Sequence, residues 1–315
     1  MTEQAGEARA PAAVKETADI KELKLSHITQ VFPGRAGSQV IAVRDVSFTL
    51  SSSPSRIVCL VGASGSGKST IARILLALQR PTSGSVTYQG RNIFRLSRRD
   101  YDEFRRDVQP VFQDPYAIFN PVYPIDRVFW KTIKKFRLAS SRDEGTERIH
   151  EALDAVHLRP GAVLGHYAHQ LSGGQRQRLM LARILLLRPS FIIADEPVSM
   201  LDAQVRRSFL DLLVEFQERF GMTTLFITHD LSTVAYVGGE MKTIFQGSIV
   251  EEGTVEQVMT RPSHPYTKLL LASVPVPDPD RRWTDRVELV NGIPRLIPNG
   301  SQEHATPSEA ERARS

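Results

Sequence analysis

One eight-residue segment constrains the fold of this 315-residue chain more than any other, and it reads Gly62-Ala63-Ser64-Gly65-Ser66-Gly67-Lys68-Ser69. It matches the phosphate-loop pattern G-x-x-x-x-G-K-S, which has a strand before it and a helix after it. An apolar run from Ile57 to Val61 precedes the segment, and a helical pattern from Thr70 to Leu78 follows it. The sequence therefore predicts an α/β protein in which this loop, placed between a strand and a helix, binds phosphate.

The residue types of the loop explain how it would bind a nucleotide. Glycines allow backbone conformations that turn several N–H groups inward as an anion-binding nest, and the following helix N-terminus adds further donors. Lys68 can reach the β and γ phosphates, and the Ser69 hydroxyl can bind Mg2+. The predicted nucleotide-binding residues of the loop are Gly62, Ala63, Ser64, Gly65, Ser66, Gly67, Lys68, Ser69 and Thr70.

A second apolar run, from Phe191 to Ala194, ends in two adjacent acids, Asp195 and Glu196. Such a run is typical of a strand buried on both faces of a parallel sheet. Paired carboxylates at its end repel each other and lose hydration unless a cation compensates them. We predict that Asp195 binds Mg2+ and that Glu196 polarises or positions the attacking water. The alternative, that both acids only begin a solvated loop, is disfavoured by the phosphate loop.

The segment Leu171-Ser172-Gly173-Gly174-Gln175 stands before a helical pattern that runs from about Gly174 to Pro189. A helix N-terminus suits phosphate, although a glycine-rich helix cap is the simpler explanation. With this segment the chain resembles the nucleotide-binding subunits of ABC transporters, over roughly residues 22 to 260. The resemblance implies that Ser172, Gly173, Gly174 and Gln175 bind the γ phosphate of ATP held by a partner's phosphate loop. Each ATP site would then be built from two chains.

The same resemblance implies further roles. Gln113 would touch Mg2+ or the attacking water and link the site to a membrane partner, while His229, after the apolar run from Thr224 to Ile227, would contact the γ phosphate. Asp202 would be a polar contact across the dimer interface. Phe32 is the candidate for stacking on adenine, although it could equally be a core residue. The expected catalytic residues are Glu196, His229, Lys68 and Gln113, and the expected metal ligands are Ser69, Gln113 and Asp195.

The pattern along the chain predicts its organisation. Strands from Leu23 to Val31 and from Val40 to Leu50 would form a small antiparallel β subdomain beside a P-loop NTPase (RecA-like) core. Helical, charged sequence predicts an inserted helical lobe over about residues 91–178. The expected units are a disordered N-terminus (1–20), an ABC nucleotide-binding domain (21–260), a C-terminal extension (261–300) and a disordered tail (301–315).

The extension contains Arg261-Pro262-Ser263-His264-Pro265-Tyr266-Thr267, followed by a proline-rich stretch. It resembles the C-terminal extension of the oligopeptide, dipeptide and nickel permease branch of ABC importers. Many members of that branch continue with cysteines that can hold an iron–sulfur cluster. The only cysteine here is Cys59, in the strand before the phosphate loop, so no iron–sulfur cluster is expected.

Composition bears on the partners. No stretch approaches the roughly 18 to 20 consecutive apolar residues that cross a bilayer, so the chain is not expected to form a pore itself. The net charge of +5 comes from scattered basic residues, and no nucleic-acid partner is expected. The resemblance implies a peripheral subunit at the cytoplasmic face of the inner membrane. Its partners would be a second ABC ATPase subunit, identical or a paralogue, two transmembrane permease subunits and an extracytoplasmic solute-binding protein.

The expected function is ATP binding and hydrolysis that energises an ABC importer for peptides or related small solutes. A soluble ABC-type ATPase of translation or DNA maintenance would share the motifs, but such proteins usually carry two cassettes or a long coiled-coil insertion. A P-loop GTPase or kinase would share only the phosphate loop. The chain has no Asn-Lys-x-Asp guanine signature, and residues 171–175 would then be unexplained.

Overall fold

The computed structural model describes residues 20–34, 37–113, 119–273, 285–290 and 293–298, of which the last two ranges are described as strands only. The predicted disordered segments, 1–20 and 301–315, lie outside these ranges except for Ile20. So does the stretch between residues 274 and 284 that carries most of the predicted proline-rich sequence. None of the described helices is both long and apolar enough to cross a bilayer.

The described elements alternate between strands and helices along most of the chain. The strands are β1 (Glu22–Pro33), β2 (Gln39–Ser51), β3 (Ile57–Val61), β4 (Ser83–Tyr88), β5 (Arg91–Asn92), β6 (Val108–Val111), β7 (Phe191–Asp195), β8 (Thr223–Thr228), β9 (Glu240–Phe245), β10 (Ser248–Thr254), β11 (Asp285–Val290) and β12 (Ile293–Pro298). The α-helices are α1 (Lys68–Leu75), α2 (Arg98–Asp107), α3 (Asp126–Phe136), α4 (Arg142–Asp154), α5 (Pro160–Val163), α6 (Gly173–Leu185), α7 (Ala203–Phe220), α8 (Leu231–Val237), α9 (Val255–Thr260) and α10 (Pro265–Ala272).

A six-stranded sheet forms the centre of the protein, in the order β10-β9-β3-β8-β7-β6. Strands β9, β3, β8, β7 and β6 run parallel to their neighbours, and β10 pairs antiparallel with β9. All residues of β3 and β8 are buried. Their near-continuous apolar sequence follows from this position, because helices cover both faces of a parallel sheet.

A second, antiparallel sheet has the order β2-β1-β4-β5, and the two strands predicted at its start are confirmed as β1 and β2. It is joined to the central sheet near Gly247, whose carbonyl accepts a hydrogen bond from the Arg44 N–H at 2.8 Å. Gly247 has a φ of +84°, and a Cβ there would lie 2.9 Å from the Ala42 carbonyl oxygen. The turn between β9 and β10 is therefore fitted closely against β2.

The segment predicted to be helical from about residue 91 differs from the expectation. Strand β6 lies within it and pairs with β7 in the central sheet. Phe104 of α2 and Val108 of β6 pack in the same core cluster as β1 and β3. The strand was missed because its four residues, Val-Gln-Pro-Val, carry a proline and follow a strongly helical charged stretch. Helices α3 to α6 contribute to the other core cluster through residues such as Phe129, Leu153 and Leu181.

Two helices end earlier than their sequence patterns suggest. Helix α1 ends at Leu75, and Ala77 takes a left-handed φ of +54°. Helix α6 ends at Leu185, and Arg188 has a φ of +46° just before Pro189. Left-handed residues stop a helix, so the apolar residues beyond each end pack without continuing it.

Cys59 and Tyr88 are two side chains with polar groups that are buried outside the phosphate loop. Cys59 lies fully buried in β3, and this burial raises the pKa of its thiol to about 12. The Tyr88 hydroxyl donates a hydrogen bond of 2.9 Å to Asp107, which also accepts from the Ser190 hydroxyl and from Lys21. Asp107 therefore ties β4 and the segment before β7 to the chain that enters β1.

Candidate functional site: the edge of the central sheet

The carboxyl ends of β3, β8, β7 and β6 lie at one edge of the central sheet because these strands are parallel. The phosphate loop follows β3, the acid pair closes β7, His229 follows β8, and Gln113 comes two residues after β6. Ligands of open α/β sheets bind at this kind of edge. The topology thus gathers four predicted motifs that are far apart in sequence.

Within the phosphate loop, Lys68 is buried and its ammonium donates hydrogen bonds of 2.8 Å to the carbonyl oxygens of Gly62 and Ala63. Burial lowers the pKa of Lys68, and the nearby charges of Glu196 and Asp195 oppose that shift. Gly67, at the start of α1, has a φ of +104°, and a Cβ there would lie 2.2 Å from the Ala42 carbonyl oxygen. Glycine is therefore required at position 67 both for conformation and for space.

A pocket opens over this loop and includes Glu196, the second residue of the predicted acid pair. Its lining residues are Ala42, Ser64, Gly65, Gly67, Lys68, Ser69, Thr70 and Glu196. Most of them were predicted from the motif. Ala42, on β2, was not, because an alanine within a strand carries no sequence signal for a binding role.

The metal-binding residues predicted for the loop and for β7 are in contact. The Ser69 hydroxyl donates a hydrogen bond of 3.1 Å to Oδ1 of Asp195. Burial raises the pKa of Asp195, and the bond from Ser69 acts in the opposite direction. Among the described residues, no group of three His, Cys, Asp or Glu side chains could hold a metal ion. The hydroxyl and carboxylate fit Mg2+, which binds one or two protein oxygens and takes its other ligands from phosphates and water.

Glu196 and His229 form the second contact at this edge. Oε1 of Glu196 lies 3.1 Å from Nδ1 of His229. An ionised carboxylate only accepts hydrogen bonds, so Nδ1 carries the proton in this contact and Nε2 is left for another partner. The Glu196 backbone has a φ of +46° and donates its N–H to the Ile227 carbonyl at 2.9 Å. Non-glycine residues in this conformation are uncommon and are enriched at functional sites.

Other predicted residues do not line the phosphate pocket. Gln113 is exposed beyond the end of β6. Phe32, which is 37% exposed, pairs across strands with Val40, two residues before Ala42. Asp202 caps α7 by accepting the Val205 N–H at 2.9 Å. Its predicted role at a dimer interface remains a prediction.

The predicted signature segment begins helix α6. The Ser172 hydroxyl accepts the Gln175 N–H, and the Gln175 side chain accepts the Ser172 N–H, at 3.2 and 2.9 Å. This arrangement is a capping box, so the glycine-rich helix cap is present. Ser172 and Gly173 are exposed and stand apart from the phosphate pocket of their own chain. They are therefore accessible to another molecule.

Besides Ala42, a second residue at the loop is absent from the sequence predictions. The Tyr266 hydroxyl, on α10, accepts the Ala63 N–H at 2.8 Å. Its sequence context, His-Pro-Tyr-Thr, is typical of the C-terminal extension and predicts no role at the nucleotide site. Nothing in the pattern indicated that it would reach back to the phosphate loop.

The strand, glycine-rich loop and helix, with a buried lysine and an acid pair on a neighbouring strand, define a P-loop nucleoside triphosphatase. Comparison with known families narrows this class. Residues 43–199 match the ABC transporter family, and residues 250–302 match the oligopeptide/dipeptide transporter C-terminal region. The chain belongs to the ABC transporter family as an ATP-binding protein with ATPase activity. The predicted resemblance to the oligopeptide branch is confirmed.

Similar proteins include the oligopeptide transport ATP-binding protein OppF of Bacillus subtilis, which is 40% identical over 82% of this chain and 84% of its own. A putative peptide import ATP-binding protein of Brucella ovis is 42% identical over 76% and 74% of the two chains. Among solved structures, the dimeric bacterial ABC transporter cassette MJ0796 has a TM-score of 0.63 at 28% identity, covering 74% of this chain and 98% of its own. A post-hydrolysis dimer of that cassette, bound to ADP and Pi, is equally similar. The predicted α/β P-loop fold is confirmed.

Proposed function

We propose that this chain is the ATP-hydrolysing subunit of an importer for peptides or related small solutes. The observation that carries the proposal is the match of its C-terminal region to oligopeptide/dipeptide transporters. The contacts of Ser69 with Asp195 and of Glu196 with His229 support an ATP site in the same chain. The relatives named above as peptide import and oligopeptide transport proteins support the cargo class. The same match disfavours a soluble ATPase of translation or DNA maintenance, and we propose no nucleic-acid partner.

We assign the steps of hydrolysis to the residues at the edge of the sheet. Lys68 exchanges its two carbonyl partners for the β and γ phosphates when ATP enters. Ser69 and Asp195 would hold Mg2+, with Gln113 joining them or the water, and the metal would neutralise charge on the phosphates. Glu196 takes the role of general base or water-positioning group. His229 orients Glu196 through Nδ1 and faces the γ phosphate through Nε2.

We further propose that two chains, identical or paralogous, close around two ATP molecules. Ser172 and Gly173 are exposed and absent from their own chain's pocket, which suits contact with the phosphate loop of a second chain. Met200, close to Asp202, is 69% exposed and would be covered in such a dimer. Gly174 and Gln175 complete the segment, and Phe32 would stack on adenine from the antiparallel sheet.

The membrane partners would bind beside Gln113. A few residues further along the chain, the described residues form a groove that includes Phe119, Tyr123 and Arg127. Val122 is 71% exposed and Tyr123 is 39% exposed, so apolar surface is available for a segment of a transmembrane subunit. We propose two permease subunits and an extracytoplasmic solute-binding protein as partners. The chain would then be peripheral, at the cytoplasmic face of the inner membrane.

The test is a pull-down of tagged Glu196→Gln from detergent-solubilised membranes in Mg-ATP, with the partners identified by mass spectrometry. We expect two polytopic permeases and a solute-binding protein, together with a second cassette if the dimer is a paralogue pair. Lys68→Ala, which should not retain ATP, is the matched control and should lose the partners that depend on the closed dimer. Ribosomal or DNA-repair proteins in place of permeases would overturn the proposal.

A further inference from the structure

The structure assigns Tyr266, in the C-terminal extension, as a positioning residue for the phosphate loop. Its hydroxyl oxygen accepts the N–H of Ala63 at 2.8 Å, across 203 residues of sequence. The inference concerns nucleotide binding by this chain and does not depend on the identity of the cargo.

The bond from Tyr266 acts on the same peptide unit as Lys68. The carbonyl of Gly62 and the N–H of Ala63 belong to one amide, whose oxygen accepts from Lys68 at 2.8 Å. The amide is therefore held at both ends, and each bond polarises it in favour of the other. Tyr266 thus fixes the orientation of the carbonyl on which the Lys68 ammonium rests before ATP binds.

Tyr266 is itself held firmly. It is 4% exposed, and its ring stacks on Phe245 with centroids 4.2 Å apart and an interplanar angle of 28°. Its backbone N–H donates to Nδ1 of His264 at 3.1 Å. An aromatic ring packed in this way loses little further freedom when its hydroxyl binds the loop.

A carboxylate on β10 anchors the turn that leads into α10. Glu251 accepts hydrogen bonds from the backbone N–H and hydroxyl of Ser263, at 2.6 and 2.8 Å, and from the His264 N–H at 3.1 Å. These bonds connect the central sheet to the extension at Ser263 and His264, just before Tyr266 in the sequence. The extension therefore reaches the phosphate loop through a continuous set of hydrogen bonds.

Removing the hydroxyl leaves the Ala63 N–H without its acceptor, and an unpaired backbone donor costs free energy. The loop can then move to satisfy this donor, which changes the position of the Gly62 carbonyl and of Lys68. Because coupling between two sites is reciprocal, nucleotide bound at the loop should in turn hold the extension in place.

The test is Tyr266→Phe, which keeps the ring on Phe245 and removes only the hydroxyl. Isothermal titration of the full chain with ADP and with a non-hydrolysable ATP analogue should show affinity reduced roughly three- to tenfold. In steady-state hydrolysis KM for ATP should rise while kcat changes less than twofold. The wild-type titration separately tests whether the chain binds ATP at all.

Tyr88→Phe is the matched control. Tyr88 is 2% exposed, its hydroxyl donates to Asp107 at 2.9 Å, and neither residue lines the phosphate pocket. Both variants should lower the melting temperature, but only Tyr266→Phe should weaken nucleotide binding. Equal affinity in Tyr266→Phe and wild type, or an equal loss in both variants, would overturn the inference.

A second variant tests the anchor without touching the loop. Glu251→Gln weakens the turn before α10, so it should reduce nucleotide affinity in the same direction as Tyr266→Phe but by less. Hydrogen exchange of residues 265–272 should slow on addition of ADP in the wild type, and the slowing should shrink in Tyr266→Phe. If ADP does not change hydrogen exchange of residues 265–272 in the wild type, the coupling between the phosphate loop and the extension is contradicted.

Discussion

Glu196 and His229 contact each other across the ends of two adjacent parallel strands, with Oε1 and Nδ1 3.1 Å apart. Glu196 continues the parallel ladder by donating its N–H to Ile227 on the neighbouring strand, and it does so with a positive φ of +46°. The carboxylate is therefore oriented by the histidine as well as by its own strand. Two residues arranged in this way should act as a unit in hydrolysis.

The first prediction concerns this pair. Glu196→Gln should reduce the rate of ATP hydrolysis by about 10²- to 10⁴-fold, because it removes the proposed base, while nucleotide affinity is kept. His229→Ala should also slow hydrolysis, and the double variant should be little slower than Glu196→Gln alone. Phosphate release and calorimetric nucleotide binding measure the two effects. His150→Ala, an exposed histidine on α4, is the control and should behave as wild type. Multiplicative losses in the double variant would show that the two residues act independently.

The second prediction concerns Asp195, whose pKa is raised by burial. When the pKa of a carboxyl is higher in the folded than in the unfolded state, the protein becomes less stable as pH rises through the folded-state pKa. Ionised Asp195 therefore destabilises the nucleotide-free fold. Asp195→Asn should therefore melt at a higher temperature than wild type near neutral pH, and the difference should shrink as pH falls below the pKa of Asp195. Its Mg-dependent hydrolysis should fall by at least about tenfold. Thermal melting from pH 4 to 8 checks the sign, and a difference that grows on acidification would contradict it.

The third prediction concerns Glu251. Burial by itself raises its pKa, but hydrogen bonds that include those from Ser263 and His264 outweigh burial and lower the pKa overall. A lowered carboxyl pKa stabilises the fold above the unfolded-state value, and this stability is lost as pH falls through the folded-state pKa. Hydrogen exchange in α10 should accelerate on acidification, beyond the intrinsic pH effect on exchange. In Glu251→Gln, hydrogen exchange in α10 should already be fast at neutral pH and should change little with pH. If exchange in this variant depends on pH as it does in the wild type, the role of Glu251 is contradicted.

Most of the nucleotide-binding core could be predicted from the sequence because its signals are local. The glycines and Lys68 lie within one loop, and the acid pair directly follows a fully apolar strand. The parallel topology then requires these ends to share one edge. The close contacts of Ser69 with Asp195 and of Glu196 with His229 are consistent with those expectations.

The remaining features depend on contacts between segments that are far apart in the sequence. No local sequence pattern indicates such contacts. Ala42 lines the phosphate pocket only because β2 lies against Gly67 and Gly247. Tyr266 reaches Ala63 only because α10 packs beside the end of β9. Strand β6 is defined by its pairing with β7, and its short sequence with an internal proline has little strand preference of its own.

The spatial order β3-β8-β7-β6 differs from the order in which these strands are synthesised. Strands β3 and β6 are made first, but β7 and β8, which separate them, follow about eighty residues or more after β6 along the chain. A nascent chain that has exposed the phosphate loop therefore lacks both the acid pair and the histidine. Strands β3 and β6 then have no neighbouring strand in the central sheet. Pairing at such sequence separation is slow and leaves strand edges open to wrong contacts. Nucleotide in the cell thus meets the acid pair and the histidine beside the loop only after residue 229 has emerged, and the apolar β3 must be shielded until then.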